Sequence, residues 1–212
     1  MGYKSFVSLN IAIIGEGTVS ENMAQCLAKA GHEIYLGLRE EGAVSESLLE
    51  KFENIHACTV GFASSEADII VIAIPAEEVR EMAYQMDDVR KKIIIGATGN
   101  VYPKPVEFVH TINAIKAITG AEHVVKCFNC AGYEDILKSS FRKQGVDMFV
   151  AGDSKKAKEM VKLLAKDMGF ANCYDFGDND TVPLLEDMAK CWYNLAITQK
   201  LGEKISFKLV RK

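Results

Sequence analysis

Short aliphatic and β-branched runs recur along the chain, separated by stretches whose apolar positions return every three or four residues. The runs read as strands at Leu9–Ile14, Glu33–Leu38, His56–Val60, Ile69–Ile74, Lys92–Ala97, His123–Phe128, Met148–Ala151 and Asn172–Asp175. Segments such as IIVIAI and IIIGA have no polar face, as strands of a parallel sheet do when helices cover both sides. Between the first two strands, Val19, Met23, Leu27 and Ala30 fall on one helical face, and Gly31 follows as a C-cap. Later, Ala157, Met160, Val161, Leu164 and Met168 form a second such face, opened by Asp153 or Ser154 as the N-cap. Strand and helix in alternation predict an α/β, Rossmann-type, doubly wound and mainly parallel sheet with right-handed crossovers.

After Asp175 the pattern changes. The stretch FGDNDTVPLLEDMAKCWYNLAITQKLG predicts about twenty residues of helix, apolar around much of its girth through Leu184, Leu185, Met188, Trp192, Leu195 and Ala196. Residues 1–176 are expected to form the nucleotide-binding unit. Residues 177–212 add a helical extension and tail that pack on it within the same domain. So apolar a helix either caps the end of the sheet or shares its burial with a second copy, which predicts a homodimer.

The chain has 212 residues, 49% of them hydrophobic and 25% charged, with a formal net charge of −4. That length suits a core that needs no staples, and the mildly acidic balance without a basic stripe argues against a nucleic-acid partner. No apolar run reaches the length of a membrane span. The first apolar run feeds directly into a glycine motif and is read as a strand, not as a secretory leader. Six cysteines, at 26, 58, 127, 130, 173 and 191, lie mostly inside apolar segments. That is the usage of a reducing compartment, so a cytoplasmic location is expected.

The chemistry starts where the first strand ends, at Gly15-Glu16-Gly17-Thr18-Val19-Ser20. This is G-x-G-x-x-G with serine in the third glycine's place. The first glycine permits a tight turn and the second lets backbone amides reach a pyrophosphate. The third position needs a small residue for helix–strand packing, which serine satisfies. Its place between a strand and a helix, in a β-α-β unit of about 30 residues, is the context the motif requires. An NAD site usually carries an acid at the end of the second strand, to accept bonds from the ribose 2′-hydroxyl. Here Leu38 and Arg39 stand at that position. A guanidinium there suits a 2′-phosphate and predicts NADP as the cofactor. In the competing reading Arg39 is solvated and Glu40 serves the ribose.

With these residues, the segments AGHEIYLGLR (30–39), ADIIVIAIP (67–75), VVKCFN (124–129), GDSKKAK (152–158), LLEDMAKCWYNLA and FKLV resemble the NADP oxidoreductase family that works with coenzyme F420. The same fold recurs in the reductase domain of six-transmembrane metalloreductases. The resemblance implies NADPH as cofactor, with a deazaflavin, FMN or FAD as co-substrate. The sequence departs from the family at Leu38, where a serine is usual, and in IIIGATGNVYPKP. In that stretch Gly96 replaces an aspartate and Gly99-Asn100 replace Asn-Pro on the substrate side.

Ligands of open α/β sheets sit beyond the carboxyl ends of the strands. Ala73, Ile74, Pro75, Thr98, Asn100 and Asn129 are therefore candidates to meet the nicotinamide, alongside Gly15, Glu16, Gly17, Thr18, Val19, Leu38 and Arg39 on the adenosine side. No catalytic residue and no metal ligand is singled out. His32 and His123 read as structural or solvated, and Cys127-Phe128-Asn129-Cys130 reads as two buried thiols at a strand end, not as a redox pair. Hydride transfer to a flavin-like ring needs stacking and positioning more than acid–base groups. The expected function is an NADP(H)-dependent oxidoreductase with a deazaflavin- or flavin-type acceptor. The alternatives are a non-catalytic NADP(H)-binding, redox-sensing module and an imine reductase of the pyrroline-carboxylate reductase type.

Overall fold

The structure, a computed structural model, describes residues 7–39, 44–98, 110–129, 136–137 and 143–210. Among the described residues the strands are β1 (Asn10–Ile14), β2 (Glu33–Leu38), β3 (Ile55–Thr59), β4 (Ile69–Ile72), β5 (Ile93–Gly96), β6 (His123–Lys126), β7 (Asp147–Val150) and β8 (Asn172–Asp175). Each falls within two residues of an expected run, and the commonest difference is a strand that ends early. Among the described helices, α1 is Thr18–Ala30, α2 Glu46–Lys51, α3 Val60–Glu66, α4 Val79–Ala83 and α5 Thr111–Thr119. They are followed by α6 (Lys155–Met168) and α7 (Val182–Tyr193).

Six strands form one parallel sheet in the order β3-β2-β1-β4-β5-β6. This is the doubly wound order, with its switch point between β1 and β4. The central strands β4 and β5 are buried at every position, whereas the edge strand β3 is largely exposed, as burial on both faces against burial at an edge requires. Beyond β6, a single antiparallel bridge joins Lys126 to Ala151, and β7 pairs in parallel with β8.

The caps follow the chemistry read from the sequence. Gly31 ends α1 in the left-handed conformation, at φ 100°, and donates its N–H to the Ala28 carbonyl. At the start of α6 it is Ser154, not Asp153, whose hydroxyl accepts the Ala157 N–H, at 3.1 Å. The predicted apolar face of α1 needs one correction: Met23, Leu27 and Ala30 are buried, but Val19 is 44% exposed. Val19 lies in the first turn of α1, within the glycine loop motif. A buried His32 binds α1 and β2 to α6. Its Nδ1 accepts the Leu9 N–H at 3.3 Å, and its Nε2 lies 3.1 Å from the Asp167 carboxylate. The structural reading of His32 holds.

The C-terminal helix continues past α7 as a π-helical turn, Asn194–Thr198. Leu185 and Ala196 are buried, while Leu184 and Leu195 stay 53% and 37% exposed. The tail then runs back to β7, where the Phe207 carbonyl accepts the Asp147 N–H and the Asp147 carboxylate accepts the Leu209 N–H. Among the described residues no helix is long and apolar enough to cross a membrane.

Candidate nucleotide site

At the switch point, β1 ends in Ile14 and the chain turns through Gly15 at φ 147°. A side chain there is excluded: an added Cβ would lie 2.4 Å from the Ala73 carbonyl oxygen and 2.8 Å from the Ser20 hydroxyl. The closeness of Gly15 to β4's end is therefore built on its missing side chain. Gly17, at φ 94°, is different, because an added Cβ would meet nothing within 4 Å. It stands at the N-cap of α1 with no side chain capping the helix. The first-turn amides of α1 therefore face open space with the positive end of the helix dipole behind them, which suits a pyrophosphate. Ser20 keeps the close packing expected at the third position; it is buried, and its hydroxyl has no hydrogen-bond partner among the described residues.

At the end of β2, Glu16 takes up Arg39. The Arg39 backbone N–H donates to Glu16 Oε1 at 2.9 Å, and Arg39 Nη2 approaches Glu16 Oε2 at 3.5 Å. A second carboxylate, Glu78 in the turn before α4, lies 2.9 Å from Arg39 Nη1. Arg39 itself is half-exposed. It lines an open cleft with Gly15, Glu16, Ile74, Glu78 and Glu81. Leu38 is buried beneath it. Glu40 lies outside the described residues, so its proposed ribose role has no structural counterpart.

The remaining expected residues gather at the neighbouring strand ends. The Ala73 N–H donates to the Ile14 carbonyl, and Ile74 and Pro75 carry the chain over the cleft. Thr98 is buried and its hydroxyl reaches the Ile72 carbonyl at 3.4 Å. Asn129 donates from Nδ2 to the Leu185 carbonyl at 3.0 Å, and its buried Oδ1 has no hydrogen-bond partner among the described residues. Its polar end is thus satisfied in part by α7. Asn100 lies outside the described residues, as does Cys130, while Cys127 is buried as expected. Among the described residues no group of three His, Cys, Asp or Glu side chains is placed to hold a metal ion.

Three features escaped the sequence reading. Lys126, at the end of β6, is fully buried; its ammonium donates to the Thr98 carbonyl and pairs with the buried Glu186 of α7 at 2.5 Å. A lysine inside the apolar run VVKCF and an acid inside LLEDMA were the available signals. Beside them Phe128 adopts φ 59°, a strained backbone for a bulky residue at the very place where β6 leaves the sheet. Nearby, His110 is buried before α5, and its Nδ1 has no hydrogen-bond partner among the described residues. Burial holds its imidazole below the ordinary histidine value, against an upward pull from Glu186 and with further lowering by Lys126 and Lys116.

Fold and site together define an α/β protein of the Rossmann type with a candidate dinucleotide cleft at its switch point. Comparison with known proteins narrows this. Residues 10–100 match the family described as NADP oxidoreductase, coenzyme F420-dependent, so the resemblance read from the motifs holds over that stretch. A ketol-acid reductoisomerase (NADP(+)) of Sulfurimonas denitrificans is 33% identical over 91 residues, which are 43% of this chain. The chain spans about a quarter of that relative, 26% of its length. In overall fold the chain is similar to a crystal structure described as an F420-dependent NADP reductase from Arthrobacter sp. FB24. That likeness has a TM-score of 0.83 at 22% identity and covers 96% of this chain and all of the other. A reductive aminase from Aspergillus terreus, solved with NADPH and ethyl-5-oxohexanoate, aligns with a TM-score of 0.68 at 16% identity, over 92% of this chain and 64% of its own.

Proposed function

We propose that this protein is an NADP(H)-dependent oxidoreductase that moves hydride between the nicotinamide and a planar acceptor of the deazaflavin or flavin type. The observation that carries the reading is the pairing of an uncapped α1 N-terminus, opened by Gly17, with a guanidinium at the end of β2. In this reading the α1 amides hold the pyrophosphate and Arg39 takes the 2′-phosphate. Ala73, Ile74 and Pro75 form the floor under the nicotinamide, with Thr98 and Asn129 at its flank. The nicotinamide supplies hydride chemistry when bound, and the protein's own residues position it and keep water out. At the ends of β1 and β4 the expected floor, Ala73, Ile74 and Pro75, is apolar, which suits an acceptor that stacks on the nicotinamide. The exposed Leu184 and Leu195 on the C-terminal helix are covered by a second copy of the chain.

The direct test is NADPH oxidation by purified protein with deazaflavin coenzyme, FMN, FAD or a cyclic imine offered separately. Turnover with a flavin-type ring is expected. Turnover with the imine alone would favour the imine reductase reading, toward which the likeness to the reductive aminase points. Tight NADPH binding without turnover of any acceptor would leave a redox-sensing module.

A further inference from the structure

Arg39 is the one cation in its cleft among the described residues, and three carboxylates share the cleft with it: Glu16, Glu78 and Glu81. Two of them already touch the guanidinium, at 2.9 Å from Glu78 and 3.5 Å from Glu16. A 2′-phosphate that came to Arg39 would have to displace one carboxylate and lie beside the other. Glu16 is the harder to move, because its Oε1 also accepts the Arg39 backbone N–H. That second bond fixes its carboxylate at the end of β2, where an NAD site places its ribose acid. The acid missing from the strand is thus delivered from the glycine loop. Among the described residues Glu78 holds Arg39 only by the ion pair, and its buried Oε2 makes no well-aligned hydrogen bond.

Resting on the reading that this cleft holds the adenosine end of a nicotinamide nucleotide, we propose that Glu78 is the specificity-determining residue of the site. It competes with the 2′-phosphate for Arg39 while Glu16 serves the 2′-hydroxyl, so NADPH is favoured over NADH only narrowly. All three side chains are partly solvated, with 49%, 27% and 31% exposure for Arg39, Glu16 and Glu78. The competition is therefore screened and graded, not absolute.

The test is equilibrium binding, read by the fluorescence of the reduced nucleotides, on wild type, Glu78→Gln, Glu78→Ala and Arg39→Ala. Wild type should bind NADPH within about tenfold of NADH. Either Glu78 variant should tighten NADPH by about three- to tenfold and move NADH less than about twofold, the scale expected for removing one partly screened charge beside a phosphate. Arg39→Ala should weaken NADPH at least about tenfold and spare NADH. If Arg39→Ala behaves so but both Glu78 variants leave the NADPH affinity unchanged or weaker, the inference falls and the nucleotide reading stands. If wild type binds neither nucleotide, both fall.

Discussion

Gly15 and Gly17 stand two positions apart and answer to opposite constraints. At Gly15 the obstacle is the protein itself, since any Cβ runs into the Ala73 carbonyl at 2.4 Å. Gly15→Ala is expected to separate β1 from β4 and to lower stability by several kcal/mol, roughly the scale of overpacking added to backbone strain. At Gly17 the space is open and only the positive φ resists, at about 1–3 kcal/mol. Gly17→Ala should therefore leave a folded protein whose NADPH affinity falls by more than about tenfold. Thermal melts with and without NADPH distinguish the two, because only the Gly17 variant should keep a cooperative transition while losing the shift given by the nucleotide. A second residue-scale expectation concerns His110. Its folded-state value is held below the ordinary 6.5, chiefly by burial, so on acidification the unfolded chain takes up this proton before the folded one. The stability tied to His110 is whole above about pH 6.5 and declines as pH falls through the window beneath it. Urea midpoints measured from pH 7.5 to 5 should show that decline, and His110→Gln should flatten it.

Among the elements, α7 is fastened to the sheet by charge as well as by packing. The Lys126–Glu186 pair lies almost wholly out of water, and the same ammonium holds the Thr98 carbonyl, so β5, β6 and α7 meet at one cation. Removing one partner of such a pair costs about 3–5 kcal/mol, because the other charge loses its main compensation without regaining water. Lys126→Met should therefore be strongly destabilising, and Lys126→Met/Glu186→Leu should recover most of the loss, measured by urea unfolding of all three variants. If the single and double variants lose equal stability, the pair is not what joins these elements. This junction was not readable from pattern. A lysine at the end of an apolar strand has the same sequence signature whether it snorkels to solvent or is sealed under a helix 60 residues later. The strands were readable, because a run buried on both faces has to be apolar at every position.

For the whole molecule, the exposed stripe on the C-terminal helix sets the expectation. Leu184 and Leu195 lie on one face of a continuous helical segment, 53% and 37% exposed, with Ile197 and Leu201 nearby at 39% and 62%. Scattered apolar residues are normal on a surface, but an aligned row is an interface signal. Wild type should run as a dimer by light scattering, and Leu184→Lys/Leu195→Lys as a monomer of nearly unchanged melting temperature, since neither side chain supports the monomer's core. A monomeric wild type at tens of micromolar would rule out the second copy.

By itself the sequence determined the layered α/β architecture, the order of strands and helices, the glycine turn and the guanidinium at the end of β2. Each of these is local: periodicity records which faces are buried, and a tight turn records which residues lack a side chain. Only the tertiary structure decided what stands around that guanidinium, because Glu16, Arg39 and Glu78 come from three separate segments and no periodicity links them. It also decided that the cation of β6 meets the acid of α7, since two charges 60 residues apart pair only when the fold removes both from water together.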